Sequence, residues 1–227
     1  MLAAPLVPAT PEDAVERMQR LVELAPDDDP APAAPAVQIK PFNLEGVHPS
    51  VVEAHAAVKK WLKAITAGVI PPFSLTISGR SGCGKTHLAK NAAAYLKQRG
   101  ISKGFYIWSD VVKQYKADAE QTIYKLSKYT VLILDDVGAE NLAGEYSLGL
   151  AATALCDVVE KRLGKWTLIT SNLTTSEIAD RYDARIASRL IRNGGRTVDM
   201  TAADDYSLLN PLSRQSANSA AADNPNS

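Results

Sequence analysis

The sequence predicts an α/β domain built on a five-stranded parallel sheet with helices on both faces. Three observations carry this. An apolar run at 73–78 leads into the loop Gly79-Arg80-Ser81-Gly82-Cys83-Gly84-Lys85-Thr86 and then into a helical stretch. Beyond it, short apolar runs alternate with segments of helical length, and strands separated in this way pair in parallel. One run, Val131-Leu132-Ile133-Leu134, is uninterrupted and ends in Asp135-Asp136. A strand buried on both faces has that composition, and its carboxyl end is where ligands bind in open α/β sheets.

The elements follow in order. The segment 11–22 reads as a short helix, with Thr10 as N-cap, early acids, and Val15, Met18 and Val22 on one face. The Pro/Ala/Asp-rich stretch 26–35 cannot form a core and reads as a linker. The helix is therefore expected either to dock on a partner or to pack back on its own domain. A folded domain is expected over 42–205. It opens with a helix at 49–68 that carries Val51, Ala54, Val58, Trp61, Leu62 and Ile65 along one stripe. Further helices are expected at 85–99, over 110–127 with a break near 116–119, at 144–163, at 176–181 and at 183–191. Strands are expected at 73–78, 104–108, 130–134, 166–170 and 196–200. The Ser/Ala/Asn-rich 206–227 reads as a disordered tail.

Composition narrows the class. Among 227 residues, 46% are hydrophobic and 22% charged, as in a soluble globular protein, and no apolar run approaches 18 residues. The first ten residues lack the basic start and apolar centre of a signal peptide. The two cysteines, Cys83 and Cys156, fall in the loop and in a helix, so a disulfide is not expected and a cytoplasmic location is. The net charge of zero hides an asymmetry. Residues 1–41 hold seven acids against three bases, whereas 42–200 hold 21 bases against 15 acids. That core is compatible with nucleic acid and equally with a solvated surface.

A strand, then Gly-x-x-x-x-Gly-Lys-Thr, then a helix is the context of a Walker A motif, which binds ATP. Gly79 and Gly84 let the chain close around the phosphates, and successive N–H groups face them at the helix N-terminus. Arg80, Ser81, Gly82, Cys83 and His87 complete the expected cradle. Lys85 is expected on the β- and γ-phosphates and the Thr86 hydroxyl on Mg²⁺. Asp135 suits the magnesium shell, and Asp136 suits the base for the attacking water. Thr170-Ser171-Asn172 ends the fourth strand, where a polar side chain would point between the two motifs.

Together these runs resemble the DnaC/IstB family of AAA+ ATPases, the bacterial helicase loaders and transposition helper ATPases. The resemblance covers about 42–200. It rests on 79–86, on Leu132-Ile133-Leu134-Asp135-Asp136-Val137-Gly138, on Ile169-Thr170-Ser171-Asn172-Leu173 and on Tyr182-Asp183-Ala184-Arg185-Ile186-Ala187-Ser188-Arg189-Leu190. It implies a P-loop fold of the ASCE type, with Asn172 as sensor 1 and Arg189 as an arginine finger presented to a neighbouring copy. Arg185, four residues earlier, shares its helix face. The resemblance also implies a replicative helicase as partner, self-association, and single-stranded DNA contact through the stretch bearing Lys113, Tyr115, Lys116, Tyr124, Lys125, Lys128 and Tyr129. One departure stands out: Asp204-Asp205-Tyr206-Ser207-Leu208 lacks the sensor 2 Arg, and no clear C-terminal lid domain is expected. Slow or partner-stimulated hydrolysis follows. The alternatives are a transposase-linked ATPase, a small-molecule kinase on the same scaffold, and a nucleotide-gated adaptor.

Overall fold

The computed structural model describes residue 44 and residues 46–68, 71–139 and 145–205. The expected docking helix and linker, and the expected tail, lie outside the described residues. Helix α1, Pro49–Ala67, starts where Pro49 fits the first turn and the His48 ring accepts from the Ser50 N–H at 3.2 Å. All six residues of its predicted stripe are buried. Its Trp61 indole donates to the Phe73 carbonyl at 3.2 Å and meets Trp166 edge-on at 6.1 Å.

Strand β1, Ser74–Ser78, leads through the loop into α2, Lys85–Gln98. Strand β2, Lys103–Ile107, stops one residue earlier than expected, because Trp108 opens α3, Trp108–Ala117, and is wholly buried. Asp118 ends α3 and caps α4, Ala119–Lys128, by accepting from the Gln121 N–H at 2.9 Å, which is the predicted break. Strand β3, Val131–Val137, runs past Leu134 and takes both aspartates into the sheet. Helix α5, Glu145–Lys161, then leads to β4, Trp166–Ser171, followed by α6, Thr175–Arg181, α7, Ala184–Ile191, a single 3₁₀ turn, and β5, Arg196–Asp199.

The strand order is β2-β3-β4-β1-β5, all parallel. Chain order does not dictate this. Strand β4 lies between β1 and β3, so its last residues sit between the glycine loop and the aspartates.

Alternation along the strands divides the apolar residues into two cores. Val131, Ile133, Trp166 and Leu168 face α1 and α2, while Leu132, Leu134 and Ile169 face α3, α5 and α7. Both faces are covered, which is why β3 reads as a continuous apolar run. A guanidinium is buried here. Arg162 is 3% exposed and donates to the carbonyls of Tyr129, Thr130 and Trp166 and to the Thr167 hydroxyl. Burial pushes its pKa down to about 10. Its fork ties the start of β3 to the turn before β4.

Candidate nucleotide site

The site is assembled at the carboxyl ends of β1, β3 and β4. Gly84, at φ 98°, occupies the left-handed region and caps α2, a conformation glycine adopts without strain. Gly79 is required for a different reason. A Cβ there would come within 2.9 Å of the Met200 Cβ and 3.0 Å of the Cys83 sulfur. Inside the loop, the buried Lys85 ammonium donates to the carbonyls of Gly79 (2.7 Å) and Arg80 (2.8 Å) and to Asn172 Oδ1 (2.9 Å). Burial lowers its pKa, against the opposing pull of Cys83, Asp136 and Asp135.

Consecutive residues of a regular strand point to opposite faces, so Asp135 and Asp136 should diverge. They do not. The β3–β4 register is regular up to Leu134 opposite Ile169 and resumes at Val137 opposite Ser171, so β3 carries one extra residue. Asp136 takes up this bulge at φ 66°, the left-handed region that a non-glycine residue visits at a cost. Thr170 locks the bend. Its hydroxyl donates to Asp135 Oδ1 and accepts from the Asp136 N–H at 2.9 Å.

The polar groups close into a ring. Thr86 Oγ1 donates to Asp135 Oδ1 at 3.2 Å, and Thr170 joins Asp135 to Asp136. Asn172 donates to Asp136 Oδ1 at 3.2 Å and accepts from Lys85. Asp135 is 4% exposed. Two oxygens converging from Thr86 and Asp135 form a hard-donor edge that fits a divalent cation completed by phosphate and water. The Lys85 ammonium joins the ring through Asn172. Such an arrangement can hold a polyphosphate with its metal and present a carboxylate to a water beside it.

Of the other sequence candidates, Arg80 and Ser81 are exposed on the loop, Cys83 is buried with its sulfur 3.8 Å from the Lys85 ammonium, and His87 is half-buried in the first turn of α2. Arg189 is not brought to the ring. Ser74, the first residue of β1, donates to the Leu190 carbonyl at 2.6 Å, which sets the end of α7 at the sheet edge opposite the loop. There Arg189 reaches α5, donating to the Cys156 sulfur at 3.2 Å and pairing with Glu160 at 3.1 Å. Arg185 does not share this environment. Its side chain is 73% exposed and pairs with Asp183, whose pKa its hydrogen bonds pull down to about 2.

The aromatic and basic candidates also separate. Tyr115 is buried, its hydroxyl donating to Asp157 at 2.6 Å, and Tyr129 is half-buried with its hydroxyl 2.8 Å from that of Tyr106. Burial removes Tyr115 from a surface role. Tyr124 is 54% exposed, with the Lys128 ammonium 3.6 Å from its ring centre, and Lys113 and Lys116 are exposed nearby. In the sequence Thr170 reads only as part of a polar strand end, and no local pattern signals the bulge.

The pattern of the IstB-like ATP binding protein family matches residues 73–192. No curated protein matches the chain. Among solved structures, the DnaC helicase loader superposes with a TM-score of 0.54 at 22% identity, over 70% of this chain and 92% of that one. The replication initiator DnaA bound to AMPPCP and single-stranded DNA gives 0.56 at 22% identity, over 73% of this chain and 50% of that one. AMPPCP-bound DnaA from Aquifex aeolicus gives 0.54 at 22% identity, over 67% and 47%. The chain thus spans about half the length of these DnaA chains. At this identity the likeness is one of fold, a five-stranded AAA+ P-loop sheet, and it matches the predicted class.

Proposed function

The chain belongs to the family of IstB-like ATP binding proteins, and from that premise we propose that it is a helicase-loader ATPase. In this reading it uses the ATP state to help place a replicative helicase on single-stranded DNA. The observation that carries the nucleotide part is the closed ring of Lys85, Thr86, Asp135, Thr170, Asp136 and Asn172. Lys85 exchanges its two loop carbonyls for β- and γ-phosphate oxygens, and the loop N–H groups hold the remaining charge. Thr86 and Asp135 would hold Mg²⁺, which would neutralise charge on the phosphate oxygens. Asp136 accepts a proton from the attacking water, and Asn172 orients that water or the γ-phosphate. The aspartate is a methylene shorter than the more common glutamate, in keeping with slow or partner-stimulated turnover.

In this reading Arg189 acts in trans, which its position at the sheet edge opposite its own loop supports. A guanidinium donated to a neighbouring γ-phosphate contributes ~10³–10⁵ in rate in related chemistry. The Arg189→Ala variant should bind ATP normally and lose stimulated phosphate release; unchanged turnover in the assembled state refutes this role. Tyr124 with Lys128 supplies a stacking face and phosphate charge for single-stranded DNA. The helicase partner rests on the likeness to the DnaC helicase loader. A pull-down comparing the full chain with one lacking 1–41 tests it. Loss of a hexameric helicase supports loading, whereas retention of a transposase assigns the chain to transposition instead.

A further inference from the structure

The chain does not leave the site at the end of β5. The Met200 N–H donates to the Ser78 carbonyl at 2.7 Å, extending the β1 pairing to the last residue before the loop. Met200 is fully buried against Gly79, and the Ala203 N–H donates to the Met200 carbonyl at 3.0 Å, turning the chain back over the loop. Ala203 is 5% exposed, so this strap is anchored on both sides of its turn. The next described residues bring a carboxylate down on the glycine loop. A Cβ built on Gly82, whose φ is 82°, would lie 2.4 Å from Asp205 Cγ, 2.4 Å from Oδ1 and 2.6 Å from Oδ2. All three carboxyl atoms are thus packed against the Cα of a residue within the phosphate loop, and only glycine leaves room for them.

We propose that Asp205 is a carboxylate gate on the phosphate loop, so that seating of Asp205 against Gly82 and occupation of the loop by nucleotide phosphates oppose each other. The proposal rests on the reading that this loop holds nucleotide phosphates. Two anions on one short loop repel, and the low-dielectric floor formed by Met200, Cys83 and Ala203 screens them less than water would. Nucleotide entry therefore moves the strap or lifts the carboxylate, which couples the segment after β5 to the nucleotide state. Relief of one such repulsion corresponds to roughly tenfold in dissociation constant.

The test uses the full chain and equilibrium titration with Mg-ATP. Asp205→Asn keeps the shape and removes the charge, and Asp204→Asn, at the exposed neighbouring residue, makes the same change in net charge away from Gly82. Asp205→Asn should bind about tenfold more tightly, with a gain that shrinks at high salt, while Asp204→Asn stays within about twofold of the parent. Equal or weaker binding by Asp205→Asn, with the parent binding ATP in a Lys85-dependent way, overturns the gate and leaves the nucleotide reading standing. Equal tightening by both variants also overturns it, as an effect of net charge alone. Failure of the parent and both variants to bind ATP removes the nucleotide reading and the gate with it.

Discussion

Thr170→Val offers a sharp test of how the two aspartates are held. Valine matches threonine in shape, so the substitution leaves no cavity at this wholly buried position. It removes one hydroxyl that serves both carboxylate residues. Asp135 Oδ1 loses a charge-assisted donor and keeps only the 3.2 Å bond from Thr86, and the Asp136 N–H loses its acceptor. A hydrogen bond to a charged group contributes about 1.5–3 kcal/mol, and an orphaned buried N–H costs about 1–3 kcal/mol. Because the two losses share one atom and relax together, we expect about 3 kcal/mol in all. With an m-value of about 2 kcal/mol per molar urea, the unfolding midpoint should fall by about 1.5 M at unchanged slope. Thr170→Ser keeps the hydroxyl and loses only a buried methyl, a cost of about 1 kcal/mol. A Thr170→Val midpoint within ~0.25 M of the parent, or serine as damaging as valine, refutes the lock.

Other substitutions probe separate links. Arg162→Lys replaces a fork that reaches four acceptors with a compact ammonium, and should cost about 2–4 kcal/mol; an unchanged melting temperature contradicts the rivet. Tyr115→Phe should cost about 1 kcal/mol near neutral pH by leaving Asp157 without its phenol donor. Burial first, and then the bond to Asp157, push the Tyr115 pKa up to about 12 from 10.0. A raised folded-state pKa gives stability that is complete below pH 10 and fades as pH climbs towards 12. The parent's advantage over Tyr115→Phe should narrow across that window, and a constant gap counts against it. Asp136→Asn should retain Mg-ATP binding and lose phosphate release in single-turnover assays; undiminished release removes Asp136 as the base.

The helices and strands were legible because their signals are local. The stripe of α1 recurs at helical spacing, and all six residues are buried as expected. Gly100 ends α2 at φ 67°, with the Ile101 N–H returning to the Leu96 carbonyl. The break between α3 and α4 was readable because Asp118 is a good cap. The loop was legible for the same reason: its residues are contiguous, and their backbone forms the cradle. Arg162 was not, since a lone arginine at the end of a helix ordinarily faces solvent, and only the turn before β4 and the start of β3 supply its acceptors. The tyrosines of α3 and α4 have one composition and two fates, Tyr115 in the core and Tyr124 outside, decided by what packs on each face.

By itself the sequence determined the order of the elements, the glycine loop with Lys85 and Thr86, and the presence of two acids and a polar strand end. Each depends on a few neighbouring residues and on periods of two or 3.6. Tertiary structure alone decided that β4 lies between β1 and β3, that a bulge turns Asp135 and Asp136 to one side, and that Thr170 and Asn172 join them to Lys85. It also decided that Arg189 faces away from its own loop and that Asp205 rests on Gly82. These are pairings between residues as much as 123 positions apart. Their free energy comes from strand register and buried hydrogen bonds, neither of which leaves a local pattern in the chain.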